Sequence, residues 1–169
     1  MADTMIVEEE LIRKGILSVA ELMAIAAKTA PKARGIDNIV VKVLDKKEEL
    51  EKLAKTMEEM ALEYGSFLAR DADNVRNSDV VVLIGARVVD LGLKAPPHYK
   101  VDLNIVMALV NLGIALGSAV KIASMLNVDN RIMYSIGIAA QKMNIIEADY
   151  VLGIPLSAKA KNIYFDRRT

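Results

Sequence analysis

The sequence predicts an α/β fold, a small mixed sheet with helices on both faces. Two apolar runs of strand character, Ile39–Leu44 (IVVKVL) and Val80–Ile84 (VVVLI), flank a helix-periodic stretch with one apolar face. A strand, an amphipathic helix and a second buried strand are the parts of a βαβ crossover, so some parallel pairing is expected. The third observation is size: 169 residues make one ordinary domain. No linker, internal repeat or low-complexity tract divides residues 1–169, which are read as a single domain.

The first helix is expected over residues 8–29. Leu11, Ile12, Ile16, Val19, Leu22, Met23 and Ala26 recur at helical spacing, and Pro31 ends it. After Gly15 its only charges are Glu21 and Lys28, so its second half should be covered on most sides. Strand Ile39–Leu44 follows the turn PKARG. Asp45, with Glu48 three residues on, has the spacing of a capping box. The next helix gathers Leu50, Leu53, Met57, Met60 and Tyr64 on one face, and Gly65 stops it. Arg70 to Ser78 is polar and is expected to hold a short helical turn. Val80–Ile84 has the continuous apolar character of a strand covered on both faces.

Arg87 to Lys100 is the longest irregular stretch and contains the only histidine, His98. Asp102 then caps a helix running to about Met125. From Ile105 to Val120 only Asn111 and Ser118 interrupt its apolar residues, and this stretch falls short of the ~20 residues that span a bilayer. It is expected to be a buried helix rather than a membrane span. Gly113 and Gly117, four apart, would let another helix, a subunit or a flat ligand approach closely. Asn127–Asn130 is expected as a turn, Arg131 to Met143 as a helix with Ile132, Ile136, Ala139 and Ala140 inward, and Tyr150–Ile154 as a last strand, which Pro155 ends or marks as an edge. The tail from Lys159 to Thr169 is basic, with Ile163, Tyr164 and Phe165 available for docking.

Composition removes several function classes. Lys+Arg and Asp+Glu balance at 22 each, so no global field points to nucleic acid or an anionic membrane. With no cysteine there is no disulfide, thiol nucleophile or thiolate-ligated zinc or iron–sulfur cluster. The opening residues, with Glu8, Glu9 and Glu10, lack the basic and apolar pattern of a signal peptide, so a cytoplasmic protein is expected. A hydrophobic content of 53% with few aromatics calls for helices buried nearly all round and for a second subunit covering part of the apolar surface.

The sequence assigns no catalytic residue. It has no G-x-S-x-G elbow, HExxH, Walker loop or G-x-G-x-x-G, and a lone His98 cannot build a metal cluster. Glu48/Glu49 and Glu58/Glu59 fall on a solvent face. The positive signal is the basic turn of Lys28, Lys32 and Arg34, with Asn38 at the start of the next strand. Cations at such a junction suit a phosphate-bearing small ligand, or else they are a solvated turn. Lys159 and Lys161 form a second basic group after the last strand.

The segments AKTAPKARGIDN (27–38), NVRNSD (74–79), DNRIMYSIG (129–137), GIPLSA (153–158) and KNIYFDR (161–167) resemble an uncharacterised prokaryotic family described as ferredoxin-domain-containing proteins. That family usually carries a cysteine-rich stretch after the central strand. The corresponding GLKAPPHYK (92–100) has no cysteine, so no cluster ligand carries over. More distantly, the order of elements resembles the flavin-dependent nitroreductases, intertwined dimers that hold FMN between subunits. That resemblance implies a homodimer with Lys28, Lys32 and Arg34 toward the FMN phosphate, Asn38 at the ring edge, and Gly117 and Ser118 approaching the ring. A clean R-x-S-x-R is missing from the N-terminal turn. Two functions follow as expectations: a flavin-associated redox protein without an iron–sulfur cluster, or a non-catalytic dimeric binding or structural protein that lacks its relatives' redox centre.

Overall fold

The computed structural model describes residues 7–165. Met1–Ile6 and Asp166–Thr169, including the last residues of the basic tail, lie outside the described residues. The described elements are α1 (Glu8–Thr29), β1 (Ile39–Leu44), α2 (Lys47–Tyr64), α3 (Phe67–Arg76), β2 (Val80–Ala86), α4 (Leu103–Met125), β3 (Asp129–Asn130), α5 (Tyr134–Lys142) and β4 (Tyr150–Ser157). The strands form one sheet in the order β1-β2-β4-β3.

Helices cover both faces of this sheet, as the sequence predicts. Every residue of β2 is buried, and its side chains divide by parity. Val80, Val82, Ile84 and Ala86 join a cluster with α1 and α4. Val81 and Leu83 join the opposite cluster with α2, α3 and α5.

The expected parallel pairing is corrected: β1–β2, β2–β4 and β3–β4 are all antiparallel. The cause is α3. Arg70 to Ser78 is no brief turn but the second half of an αα-hairpin with α2, opened by Gly65 at φ 119°. One helix between strands returns the chain to a parallel start, whereas two bring it back to the end of the sheet where β1 finished, ready to run antiparallel beside it. The expected capping box is also absent, because α2 begins at Lys47 after Lys46 with no side-chain cap. Asp45 instead offers its carbonyl to Arg13 Nη2 at 2.6 Å.

Pro155 neither ends β4 nor makes it an edge strand. It stands inside β4 opposite Val81. Asp129 pairs with Ser157, and the Met133–Gly153 bridge continues that register, setting Arg131 opposite Pro155. The missing N–H therefore faces the gap between β3 and Met133, where no ladder bond is needed. The expected helix from Arg131 begins only at Tyr134, since Met133 is still exchanging both backbone bonds with Gly153. β3 itself falls inside the expected turn, with Asn127 in the left-handed region at φ 57°. Tyr164 docks: its ring is buried, its hydroxyl lies 2.9 Å from Ser78 Oγ, and its carbonyl accepts from Arg131 at 2.9 Å.

Asp102 caps α4 as expected, accepting from the Asn104 and Ile105 N–H groups at 2.8 and 3.2 Å. The helix is long and apolar enough to cross a membrane, yet its inner face, Ala108, Leu112, Ala115, Leu116, Ala119 and Ala123, packs into the core. It is not buried all round. Leu109, Val110, Gly113, Ile114 and Gly117 remain exposed, as do Leu11, Leu22 and Ile25 of α1.

One polar interaction crosses this apolar layer. Asn38, at the entrance to β1, gives its amide N–H to the Arg87 carbonyl at 2.7 Å and accepts from Asn111 Nδ2 of α4 at 3.0 Å. Asn111 Oδ1 in turn accepts the Ala33 N–H at 2.9 Å. Both side chains are buried at 3% exposure. The pair thus fixes the 32–36 turn, the ends of β1 and β2, and the middle of α4 relative to one another.

Two stability measurements test this packing. A Cβ on Gly137 would lie 1.8 Å from the Val151 carbonyl oxygen, whereas Gly15 in α1 has nothing within 4 Å. Gly137→Ala should therefore cost about 3 kcal/mol or more, while Gly15→Ala should stabilise by about 0.5–1 kcal/mol; urea unfolding of both checks the contrast. Asn111→Ala strands the Ala33 N–H and Asn38 Oδ1 and should cost about 1–3 kcal/mol in the same assay.

Candidate functional site

The basic turn lies where α1 ends and the chain swings toward β1. Its sequence-predicted residues are divided between structure and solvent. Lys28 pairs with Asp37, both half-exposed, and also donates to the Ile39 carbonyl at 3.0 Å. The Lys28 ammonium holds the Asp37 carboxyl below its usual range. Lys32 donates to the carbonyls of Lys28 and Ala30, satisfying the C-terminal end of α1 where a cation also complements the helix dipole. Asn38 has both amide ends committed inside the fold and presents no edge outward.

Arg34 differs. It is exposed, sits at φ 55°, and spends Nη1 on the Leu91 carbonyl. No other bond among the described residues uses the rest of its guanidinium fork. Leu91 N–H is in turn held by Asn104 Oδ1 at 3.1 Å. This chain of bonds sets Arg34 beside the first turn of α4. The 87–101 segment, expected to be irregular, is anchored at one buried residue, Leu91, and by Asp149 Oδ2 accepting the Val88 N–H. His98 is exposed in it, edge-on to Tyr99.

Gly117 and Ser118 do not share a pocket with the turn. They follow Asn111 by six and seven residues, about 9–10 Å along α4. Gly117 lies on the open outer face with nothing within 4 Å of a built Cβ. Ser118 is half-buried. The turn and the outer face of α4 are therefore neighbouring surfaces, not a closed cavity.

Elsewhere the described residues form clefts at two places. The larger, about 560 Å3, opens at the other end of α1 between Arg13, Asp45, Asn77, Asp79 and Lys159. No sequence motif marks it, although Asp79, an acid directly before a wholly apolar strand, is a usable signal. Burial pushes the Asp79 carboxyl above its usual range, opposed by Lys159 and Arg13 and reinforced by Glu9. Arg76 on its wall is held by Glu58, Glu51 and Asp73. The second cleft, about 530 Å3, is lined by Ser124, Asn127, Asp129, Asn130 and Asn162. Among the described residues no three His, Asp or Glu side chains gather to hold a metal ion.

Comparison with known proteins places this geometry. Residues 102–167 match the family described as "uncharacterized protein containing a ferredoxin domain". An uncharacterized protein of Archaeoglobus fulgidus is 44% identical, across 95% of this chain and 96% of its own length. Among solved structures, the hypothetical oxidoreductase YcnD of Bacillus subtilis is similar at TM-score 0.58 and 16% identity, over 95% of this chain. This chain spans only 61% of that one. A BluB-like flavoprotein of Clostridium difficile gives TM-score 0.59 at 18% identity, over 99% of this chain and 87% of its own. A nitroreductase family protein of Clostridium novyi gives 0.58 at 14%, over 91% and 76%. Such identities speak for the fold alone: it is nitroreductase-like. Given the full-length archaeal relative, the chain belongs to the family of uncharacterized proteins containing a ferredoxin domain, as a member without cysteine.

Proposed function

We propose that this protein is a flavin-associated redox protein of the cytoplasm, working as a homodimer that holds FMN through its phosphate. The observation that carries this reading is Arg34. It is an exposed guanidinium with unspent donors, fixed through Leu91 and Asn104 to the helix whose outer face is apolar and built with small residues. A planar fork of this kind suits a phosphate. The apolar stripe of Leu109, Val110, Gly113, Ile114 and Gly117 suits a flat ring and a second copy of the chain. The flavoprotein among the similar structures supports the same direction.

The residues present fit the phosphate end better than the ring edge. Arg34 is available as it stands. Lys28 can join it, because its pair with Asp37 is solvated and costs little to open. Lys32 and Asn38 act as positioning residues, holding the turn by capping α1 and by bonding Asn111. Bound flavin would supply the electron-transfer chemistry, and the protein would orient it and limit water access.

The commitment of Lys32 and Asn38 to the fold, together with the absence of cysteine, favours a second reading, a dimeric binding or structural protein without redox activity. The two separate in one preparation. Protein purified with FMN supplied should be yellow, and Lys28→Ala with Arg34→Ala should weaken FMN binding about tenfold or more, the value of a charged hydrogen bond. Colourless protein with no thermal shift from FMN or FAD would leave the second reading. Sedimentation equilibrium should give twice the 18.5 kDa chain mass, falling to one chain for Ile114→Glu. A wild-type monomer would defeat both readings of the interface.

A further inference from the structure

The cleft at the N-terminal end of α1 is independent of the flavin reading. Arg13 precedes Lys28 by fifteen residues, about 22 Å along the helix. Its walls come from four places in the chain: α1, the β1–α2 junction, the end of α3 with the start of β2, and the residues after β4.

Its charges sort by what they already do. Arg76 is neutralised by Glu51, Glu58 and Asp73. Arg13 gives one nitrogen to the Asp45 carbonyl, and Lys159 gives one N–H to the Asn77 carbonyl. Each keeps further donors, and Lys47 stands with them on the wall. On the acidic side are Glu8, Glu9, Asp45 and Asp79. Asp79 is half-buried, and its carboxylate accepts no hydrogen bond among the described residues, although its backbone N–H is held by the Leu156 carbonyl. The strand therefore fixes a carboxylate in the cleft that feels Lys159 and Arg13 at a distance but has no direct hydrogen bond or ion pair among the described residues. A half-desolvated charge left in this way is unfavourable unless something pairs with it.

The mixture narrows the ligand. A multiply charged anion would meet Asp79, Asp45 and Glu9, and a simple cation would meet Arg13, Lys47 and Lys159. A molecule with one carboxylate and one ammonium satisfies both sets. Ile12, Leu50 and Ala158 supply an apolar wall for a short aliphatic group. We propose that this cleft binds a small zwitterion of the α-amino acid class with an aliphatic side chain, its ammonium on Asp79 and its carboxylate on Arg13 and Lys159.

Calorimetric titration of the full chain with L-leucine, N-acetyl-leucine and leucinamide tests the assignment. Leucine should bind, and blocking either charged end should weaken it about tenfold or more, as should Asp79→Asn. No heat from leucine, valine or methionine at millimolar concentration would overturn the proposal, as would equal binding of the blocked analogues or unchanged affinity in Asp79→Asn. Folding of that variant is checked by its melting temperature. Asp79 has its folded pKa raised, chiefly by burial. The native state then holds the extra proton, and the carboxylate costs stability as pH rises through that pKa. Asp79→Asn should thus melt higher than wild type at neutral pH, with the gain shrinking as pH falls through the raised folded value and gone only below the ordinary Asp value of about 3.9, where the acid is protonated in both states.

Discussion

The whole architecture depends on β2 being buried on both faces. Seven consecutive residues without access to water cannot sit at a sheet edge or under a single helical layer. They require a strand on each side and helices above and below. The chain meets the first need with β1 and β4, and the second with α1 and α4 on one face and α2, α3 and α5 on the other. Glycine is used where those layers come closest. At Gly137 and Gly153 helix α5 lies on β4 so tightly that a methyl group would meet the Val151 carbonyl on one side and Ile136 on the other. At Gly137 the helix meets the strand backbone directly, whereas at Gly153 the missing side chain makes room for Ile136.

Against that apolar background the Asn38–Asn111 pair has a specific task. Apolar contacts alone leave a helix free to slide along a sheet, since they are non-directional. A buried amide pair with all four ends committed in three hydrogen bonds, to Arg87, to Ala33 and to each other, has one satisfactory register. That register sets the depth of the basic turn and the position of Arg34 over Leu91. The site is therefore defined by a polar contact the solvent never sees.

Much of the fold was legible because burial writes itself into side-chain periodicity. The two-sided burial of β2, the cap at Asp102, the stop at Gly65 and the inward Ile136, Ala139 and Ala140 all follow from local pattern, whereas Ile132, expected inward with them, is exposed because it precedes α5. The direction of pairing did not, because it turns on whether Phe67–Arg76 is a helix, and that segment, FLARDADNVR, carries only four buried residues among polar ones. Pro155 misled for a related reason: its effect depends on which neighbour its nitrogen faces, a tertiary fact. The outer face of α4 looked like a buried helix in sequence, since apolar residues lining a core and apolar residues awaiting a partner have the same composition. The larger cleft leaves only Asp79 as a local signal, because its walls come from four separated segments.

Charge shows the same limit more sharply. Glu8, Glu9 and Glu10 open α1 and Lys28 closes it, the arrangement the helix dipole favours for structural reasons alone. A basic cluster at a helix C-terminus therefore says little about ligands until its bonds are counted. Counting separates the residues. Lys32, with two carbonyls of its own chain, has its structural purpose accounted for, and so does Arg76 with three carboxylates. Arg34 and Asp79 do not: among the described residues one keeps donors that no bond uses, and the other holds a half-buried carboxylate with no direct hydrogen bond. Selection for stability alone gives no reason to place either where it is, so these two positions, at opposite ends of α1, are where function is best sought.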